Sequence, residues 1–280
     1  MNTTNYLNKV KSKEISPVKT IKSILKEAKT LNKKHNYFIT ISEDLALKQA
    51  ETIEENPEGK LAGLPISIKD CICVQNVESK AGSNILKDYI PPFNATVIQK
   101  LINQGAIIIG KTSQDEFGFG SFSTNTELPP KNPFNTQRCC GGSSGGAAGF
   151  TQATTHPHIA IAESTGGSIA NPASFCGVTG LTPTYGLVSR YGLIDYANSL
   201  DKIGTMGKTT QDSFLGLNSI LGYDEKDSTS LTKEKLPEKK VKKIAVIKES
   251  IQNLNPKIKD IILSNLKDYD TISLPLTKKY

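Results

Sequence analysis

The sequence predicts an α/β fold in which one β-sheet is covered by helices on both faces. Short apolar stretches of strand length alternate along the chain with longer segments that have helical periodicity. Helix-capping signals mark several boundaries, as at Ser16, where an N-cap serine precedes a proline at the first helical position. Such alternation is typical of a sheet whose two faces are both buried.

The predicted elements follow this alternation from one end of the chain to the other. Helices are predicted at residues 16–31, 42–54, 95–104, 213–221 and 256–266. Apolar or β-branched strands are predicted at residues 37–41, 64–74, 106–109, 159–162, 244–247 and 271–274. The last of these is expected to be a buried strand that exits at residue 276. The charged segment 233–243, which contains Pro237, is predicted to be a solvated linker or surface loop.

The composition is that of an ordinary globular protein. Apolar residues make up 37% and charged residues 22% of the 280 residues, which excludes collagen-like and wholly disordered chains. No apolar run approaches the roughly 20 residues that cross a bilayer, and no secretory signal is recognised, so a cytoplasmic location without membrane contact is expected. The net charge is +7, yet only two basic residues are arginine. This balance indicates a solvated lysine surface or diffuse attraction to a polyanion, because direct nucleic-acid readout relies on arginine.

The five cysteines do not form a recognisable framework. Their number is odd, two of them are sequence neighbours, and a reducing cytosol suits them better than disulfides. The cysteines are Cys71, Cys73, Cys139, Cys140 and Cys176. None of their spacings matches a zinc motif, so no metal site is expected.

Two familiar motifs occur in contexts that do not suit them. Residues 105–112 match the phosphate-binding pattern G-x-x-x-x-G-K-[ST], but the middle Ala-Ile-Ile-Ile favours a strand instead of a loop. ATP binding is therefore not expected there. Residues 142–146 match the G-x-S-x-G nucleophile elbow, but polar, turn-like residues precede them. No histidine follows His158, so a Ser-Asp-His triad would lack its base.

Two Gly/Ser clusters, residues 141–146 and 165–168, remain as candidates for a site. A flexible linker is the simplest interpretation, but apolar segments flank both clusters, and a buried strand is predicted between them. Consecutive N–H groups of residues 165–168 would form a cradle for an anion or an oxyanion. A serine nucleophile there would need a base. Lys69 lies in an apolar strand, and a buried lysine can lose its proton and act as that base.

The sequence resembles the amidase signature family, whose catalytic set is Ser, cis-Ser and Lys. Highly specific matches to this family are found at residues 63–70, 115–117, 131–134, 141–146 and 165–169. The resemblance implies an α/β amidase-signature fold, with a mixed β-sheet covered by helices on both faces. It also implies that residues 1–280 form one amidase-signature domain that is truncated at the C-terminus, because family members continue well beyond this chain. A second polypeptide completing the domain is a possible partner.

The resemblance also implies roles for individual residues. Lys69 is the general base, Ser143 follows a cis peptide and relays the proton, and Ser168 is the nucleophile. The oxyanion hole consists of the N–H groups of Thr165, Gly166, Gly167 and Ser168. Ser144 is predicted to contact the substrate. The chain departs from the family at Ser164, which replaces the usual Asp, and at Ala170, which replaces the usual Arg. The segment between the two serines is one residue longer.

Within the family, the chain is most similar to the A subunits of glutamyl-tRNA(Gln) amidotransferases. This similarity is found at residues 172–178, 183–186, 188–193, 198–204 and 227–230. It implies a glutaminase that supplies ammonia to a B subunit, which uses ATP and Mg²⁺ to activate Glu-tRNA(Gln), while a small C subunit braces the pair. The chain itself would need no cofactor and would meet tRNA only through the complex. The alternatives are a stand-alone amidase with another amide substrate, and a degenerate or split, non-catalytic scaffold subunit.

Overall fold

The computed structural model describes residues 1–232 and 243–274. Contacts divide the chain into two units, Met1–Lys233 and Glu234–Tyr280, where the sequence analysis expects one domain. Apart from its last residue, the predicted linker at 233–243 lies outside the described residues. No helix in the described ranges is both long enough and apolar enough to cross a membrane.

The first unit contains a six-stranded sheet. Its strands are β1 (Phe38–Ile41), β2 (Pro65–Lys69), β3 (Ile107–Thr112), β4 (Ile159–Ser164), β5 (Thr179–Leu181) and β6 (Lys202–Gly207). They lie in the order β1-β3-β2-β4-β6-β5. The central strand β2 is parallel to both β3 and β4, and the outer pairs are antiparallel. The sheet is therefore mixed, as the family resemblance implies.

Helices cover both faces of this sheet. The helices of the first unit are α1 (Thr3–Lys11), α2 (Pro17–His35), α3 (Glu43–Glu55), α4 (Thr96–Ile102), α5 (Gly145–Ala153), α6 (Ala170–Cys176) and α7 (Thr210–Ile220). One apolar core joins α1, α4 and α7 to side chains such as Ile108, and a second joins α2, α3 and α5 to the neighbouring Ile107 and Ile109. Successive residues of β3 thus enter opposite cores, as strand geometry requires.

The ends of three strands differ from the prediction, and one of them is β4, which extends beyond residue 162 to Ser164. The strand predicted at 64–74 ends at Lys69, and beyond it only Ile72 and Val74 form isolated bridges. The strand predicted at 106–109 extends to Thr112, because β2 and β1 pair with its last residues.

Several elements of the first unit were not predicted: α1, α5, β5 and β6. Helix α5 begins within the Gly/Ser cluster for which a linker is the simplest interpretation. Glycine is required there, since a Cβ on Gly146 would lie 2.4 Å from the carbonyl oxygen of Tyr37. Close packing of α5 therefore outweighs the low helix propensity of its glycines.

The second unit consists of β7 (Ile244–Ile247), α8 (Lys248–Gln252), α9 (Pro256–Leu266) and β8 (Thr271–Leu274). The bounds of β7, α9 and β8 agree with the prediction, and the two strands pair in parallel. The expectation that β8 is buried is wrong, because all four of its residues are exposed. A sheet of two strands gives β8 a single neighbour, and α9 contributes no buried residue.

His158 lies in the core of the first unit, just before β4. Its Nε2 is 3.0 Å from the Ser67 hydroxyl and its Nδ1 is 3.3 Å from that of Thr151. Burial, assisted by the positive charge of Lys208, lowers the pKa of His158 to about 3. The imidazole is therefore neutral in the folded protein at neutral pH.

This lowered pKa predicts a pH-dependent stability. Between about pH 6.5 and pH 3 the unfolded chain binds a proton at His158 that the folded chain does not, so the free energy of unfolding should fall as pH falls. The contribution approaches about 1.4 kcal/mol per pH unit well below pH 6.5. Urea denaturation between pH 7 and pH 5 measures it. His158→Gln should show a smaller slope, and an unchanged slope would contradict the assignment.

Candidate active site

Lys69 is the last residue of β2, and its side chain is fully buried. Its Nζ lies 2.8 Å from Ser143 Oγ, 3.1 Å from the carbonyl oxygen of Glu163 and 2.8 Å from Glu163 Oε2. Since β2 and β4 are parallel neighbours, their carboxyl ends meet at the same edge of the sheet. This topology brings Lys69 and Glu163 together.

Ser143 is held by the loop that begins at Asp115. The Gly142–Ser143 peptide bond is cis, as predicted. The Ser143 carbonyl oxygen accepts hydrogen bonds from the Asp115 N–H and the Ser123 hydroxyl, both at 3.2 Å. The Asp115 carboxylate in turn accepts the N–H groups of Ser123 at 2.9 Å and Asn125 at 3.0 Å. These bonds fix the Ser143 hydroxyl beside Lys69.

Ser168 lies between β4 and α6 and lines a cavity of about 220 Å³. The other lining residues are Gly118, Gly120, Ser121, Gly142, Thr165, Gly166, Gly167, Asn171 and Tyr196. The Ser168 hydroxyl has no hydrogen-bond partner within residues 1–232 and 243–274. Ser168 is 9% exposed and lines the cavity, whereas Lys69 and Ser143 are fully buried and are not among its lining residues.

The backbone around Ser168 offers hydrogen-bond donors to the cavity. In the described part of the chain, the N–H groups of Thr165, Gly166 and Ser168 have no acceptor. The Gly167 N–H, also predicted to serve the oxyanion hole, instead donates to Ser164 Oγ at 3.2 Å. A Cβ on Gly166 or Gly167 would meet nothing within 4 Å, so glycine keeps this wall of the cavity open.

Ser144, which was predicted to contact the substrate, lies inside the protein. It is fully buried, is not among the residues that line the cavity, and donates its hydroxyl to the carbonyl oxygen of Glu163 at 3.1 Å. This placement argues against the predicted substrate contact, because the only hydroxyl proton is already used inside the protein. Ser144 is also the residue that a G-x-S-x-G elbow would expose, so the structure rules that interpretation out.

The phosphate-loop pattern at residues 105–112 is part of a strand. Its Gly-Lys-Thr end belongs to β3, and the Lys111 side chain is fully buried. Lys111 Nζ donates to Ser79 Oγ at 2.5 Å and to the carbonyl oxygen of Asp70 at 3.1 Å. The lysine that would bind phosphate therefore makes hydrogen bonds inside the core, and the middle of the segment forms a strand, as predicted.

Glu163 is the site residue that the sequence analysis missed. Its side chain is 3% exposed and contacts Lys69 through Oε2. Its Oε1 lies 2.9 Å from Thr165 Oγ1, which in turn lies 2.6 Å from Asp201 Oδ1. The available signal was a charged residue directly after the apolar stretch 159–162, which as a strand would place it at the edge of the sheet.

Known proteins that are similar to the chain in sequence and structure include amidases. The family described as Amidase matches residues 19–270, so the chain belongs to the amidase family. Its sheet and helices form the amidase-signature α/β fold.

The relatives of the chain include the A subunits of several glutamyl-tRNA(Gln) amidotransferases. The one from Thermoanaerobacter pseudethanolicus is 44% identical over 231 residues, which are 81% of this chain and 47% of the relative. Its counterpart from Methanosarcina barkeri is 51% identical over 201 residues, which are 71% of this chain and 42% of the relative. The crystal structure of the Thermotoga maritima counterpart aligns with a TM-score of 0.83 at 33% identity, covering 93% of this chain and 58% of that one. The chain thus spans about half the length of these relatives.

Proposed function

We propose that the chain hydrolyses glutamine as the amidase subunit of a glutamyl-tRNA(Gln) amidotransferase. The observation that carries this proposal is the 2.8 Å contact between the buried Lys69 amine and Ser143 Oγ, beside a cavity into which the Ser168 hydroxyl opens. A base, a relay and a nucleophile are the three parts that serine-based amide hydrolysis needs. The substrate and the complex are inferred from the names of the relatives.

In this mechanism Ser168 Oγ attacks the side-chain amide carbon of glutamine. Its proton passes to Ser143, whose own proton passes to the neutral Lys69 amine. The free N–H groups of Thr165, Gly166 and Ser168 stabilise the oxyanion that forms on the amide oxygen. The proton on Lys69 then returns through Ser143 to the leaving nitrogen, and ammonia departs. Water hydrolyses the remaining glutamyl ester of Ser168 by the same proton route.

The proposed partners are the B and C subunits of the complex. The B subunit would use the ammonia, together with ATP and Mg²⁺, on Glu-tRNA(Gln), while this chain needs no cofactor for hydrolysis. The location of such a complex is the cytoplasm. The chain spans about half the length of its relatives, so the activity and partners of the whole enzyme are part of this proposal.

A non-catalytic scaffold is the second candidate function. It is favoured by the Glu163 carboxyl group, which lies 2.8 Å from Lys69 Nζ. An ionised carboxylate there would pair with an ammonium group, and an ammonium group cannot accept a proton from Ser143.

Covalent labelling of Ser168 separates these functions. The chain, alone and together with B and C subunits, is treated with phenylmethanesulfonyl fluoride, which modifies activated serines, and the adduct is located by mass spectrometry. Glutamine hydrolysis is followed as ammonia release. Labelling of Ser168 together with ammonia release is the expected result. Labelling without glutamine turnover would indicate another amide substrate, and absence of labelling in both preparations would indicate the scaffold.

A further inference from the structure

Glu163 stands at the end of a strand that is otherwise apolar, in contact with the proposed base. We propose that Glu163 is a positioning residue that carries the proton it shares with Lys69, so that Lys69 is a neutral amine whose lone pair faces Ser143. The pair is neutral overall whether this proton is on the carboxyl group or on the amine. The hydrogen bonds around the pair decide between the two arrangements.

The Thr165 hydroxyl lies where it reports on this proton. Its hydroxyl oxygen lies between two carboxyl oxygens, Asp201 Oδ1 at 2.6 Å and Glu163 Oε1 at 2.9 Å. A hydroxyl group has one proton and can donate it to only one of them. Both contacts are hydrogen bonds only if one of the two carboxyl groups is protonated and donates to Thr165.

The hydrogen-bond donors around the two carboxyl groups identify which of them holds the proton. Asp201 Oδ2 accepts the backbone N–H groups of Tyr196 at 2.8 Å and Ala197 at 2.9 Å. Such donors stabilise the ionised form of a carboxyl group. Glu163 receives no backbone N–H within the described residues, and its Oε2 faces Lys69. Asp201 is therefore the carboxylate, Thr165 donates to it, and Glu163 Oε1–H donates to Thr165.

The contacts of Lys69 fit the same arrangement. A neutral amine has two N–H groups and one lone pair, and Nζ has three contacts. The two N–H groups match the carbonyl oxygen and Oε2 of Glu163, and the lone pair accepts the Ser143 hydroxyl proton. An ammonium group would also fill the three contacts, but it would leave the 2.9 Å contact between Glu163 and Thr165 without a proton.

Other titratable groups surround the pair. Burial raises the pKa of the Cys71 thiol well above its ordinary value, so this neighbour is uncharged. Lys111 lies 3.6 Å from Asp70 Oδ1, so these two charges offset each other. Lys202 Nζ donates to the carbonyl oxygen of Thr165 at 3.1 Å and lies beside Asp201 in sequence. The ionised Asp201 contacts the pair through the Thr165 hydroxyl and not through Lys69 itself.

A protonated Glu163 carboxyl group leaves Lys69 free to accept a proton during the reaction. In sulfonylation, Ser168 Oγ forms a bond to sulfur, fluoride leaves, and the Ser168 proton reaches the Lys69 lone pair through Ser143. Glu163 keeps its own proton throughout and holds the amine in place through Oε2. The sulfonylation-rate test of this inference rests on the proposed amidase function, whereas the infrared test does not.

The test uses Glu163→Gln, because an amide reproduces a protonated carboxyl group with an oxygen toward Lys69 and an N–H toward Thr165. The infrared difference spectrum of wild type minus E163Q at pH 7 should contain the C=O stretch of a protonated carboxyl group. Loss of an ionised-carboxylate band instead would overturn the proposal. Thr165→Val provides a second variant, in which the protonated-carboxyl band should move because its acceptor is gone; unchanged carboxyl bands would also overturn it.

The rate measurement is the pH dependence of Ser168 sulfonylation by phenylmethanesulfonyl fluoride in the full chain. The acid limb of E163Q should lie at the same pH as that of wild type, whatever the absolute rate of sulfonylation. If Glu163 were ionised, E163Q would move the acid limb to lower pH by about one unit or more, since a nearby carboxylate favours the ammonium form. A wild-type chain that is not sulfonylated would refute the proposed function, while the infrared result would still decide the state of Glu163.

Discussion

Replacement of Ser168 by alanine should reduce amide hydrolysis at least about a thousandfold, because loss of a serine nucleophile removes the covalent route altogether. The fold should be unaffected. The Ser168 hydroxyl has no partner in the described part of the chain, so its removal leaves no buried group unsatisfied. Ammonia release and the mass of the sulfonyl adduct measure the chemical effect, and thermal unfolding measures the stability.

The matched control for this variant is Ser264→Ala. Ser264 lies in α9, in the second unit, where its hydroxyl donates to the carbonyl oxygen of Ile261. This control should retain both the adduct on Ser168 and any ammonia release. Ser168→Ala protein that keeps near wild-type turnover would exclude Ser168 as the nucleophile.

Replacement of Gly142 by alanine should lower the free energy of unfolding by about 3 kcal/mol, at the upper end of typical overpacking costs. A Cβ at this position would lie 2.3 Å from Asp115 Oδ2, 2.6 Å from the backbone nitrogen of Ser123 and 2.7 Å from that of Phe122. Backbone atoms cannot move aside as a flexible side chain can. The hydrogen bonds of Asp115 that fix the Ser143 loop would be strained as well.

Gly166→Ala is the control for this effect, since a Cβ there meets nothing within 4 Å. Urea denaturation of the two variants compares one methyl group in a filled space with one in an open space. We expect a clear loss of stability for the first variant and a change within about 0.5 kcal/mol for the second. Equal losses would show that steric crowding at Gly142 is not the cause.

The sequence could predict the candidate site only where local patterns carry the information. The apolar stretch around Lys69 identifies the strand that buries it, and the family resemblance supplies Ser143 and Ser168. Glu163 was missed because the predicted strand stopped at Ala162, whereas β4 extends to Ser164. Its contact with Lys69 depends on the pairing of β2 with β4, which no local pattern reveals.

The fold, too, could be predicted only where local sequence patterns determine an element. Helix α9 was predicted with correct bounds, whereas α2, whose start carries the Ser16 capping signal, extends to His35, four residues beyond its predicted end. Helix α5 was not predicted, because its Gly-rich start is typical of a loop and the helix is stabilised by packing. Ala147, Ala148 and Phe150 are all fully buried, and Phe150 lies 4.7 Å from Phe38, ring centre to ring centre. Such tertiary stabilisation leaves no signal in the local sequence.

The contacts that define the site join distant parts of the chain. Lys69 meets Ser143 across 74 residues and Glu163 across 94. Closing loops of this length costs conformational entropy that local structure cannot offset, so the central strands must pair before the amine meets the serine. A chain still emerging from the ribosome acquires the site only after β4 has been synthesised. Chemical reactivity of Ser168 would therefore report completion of the central sheet during refolding.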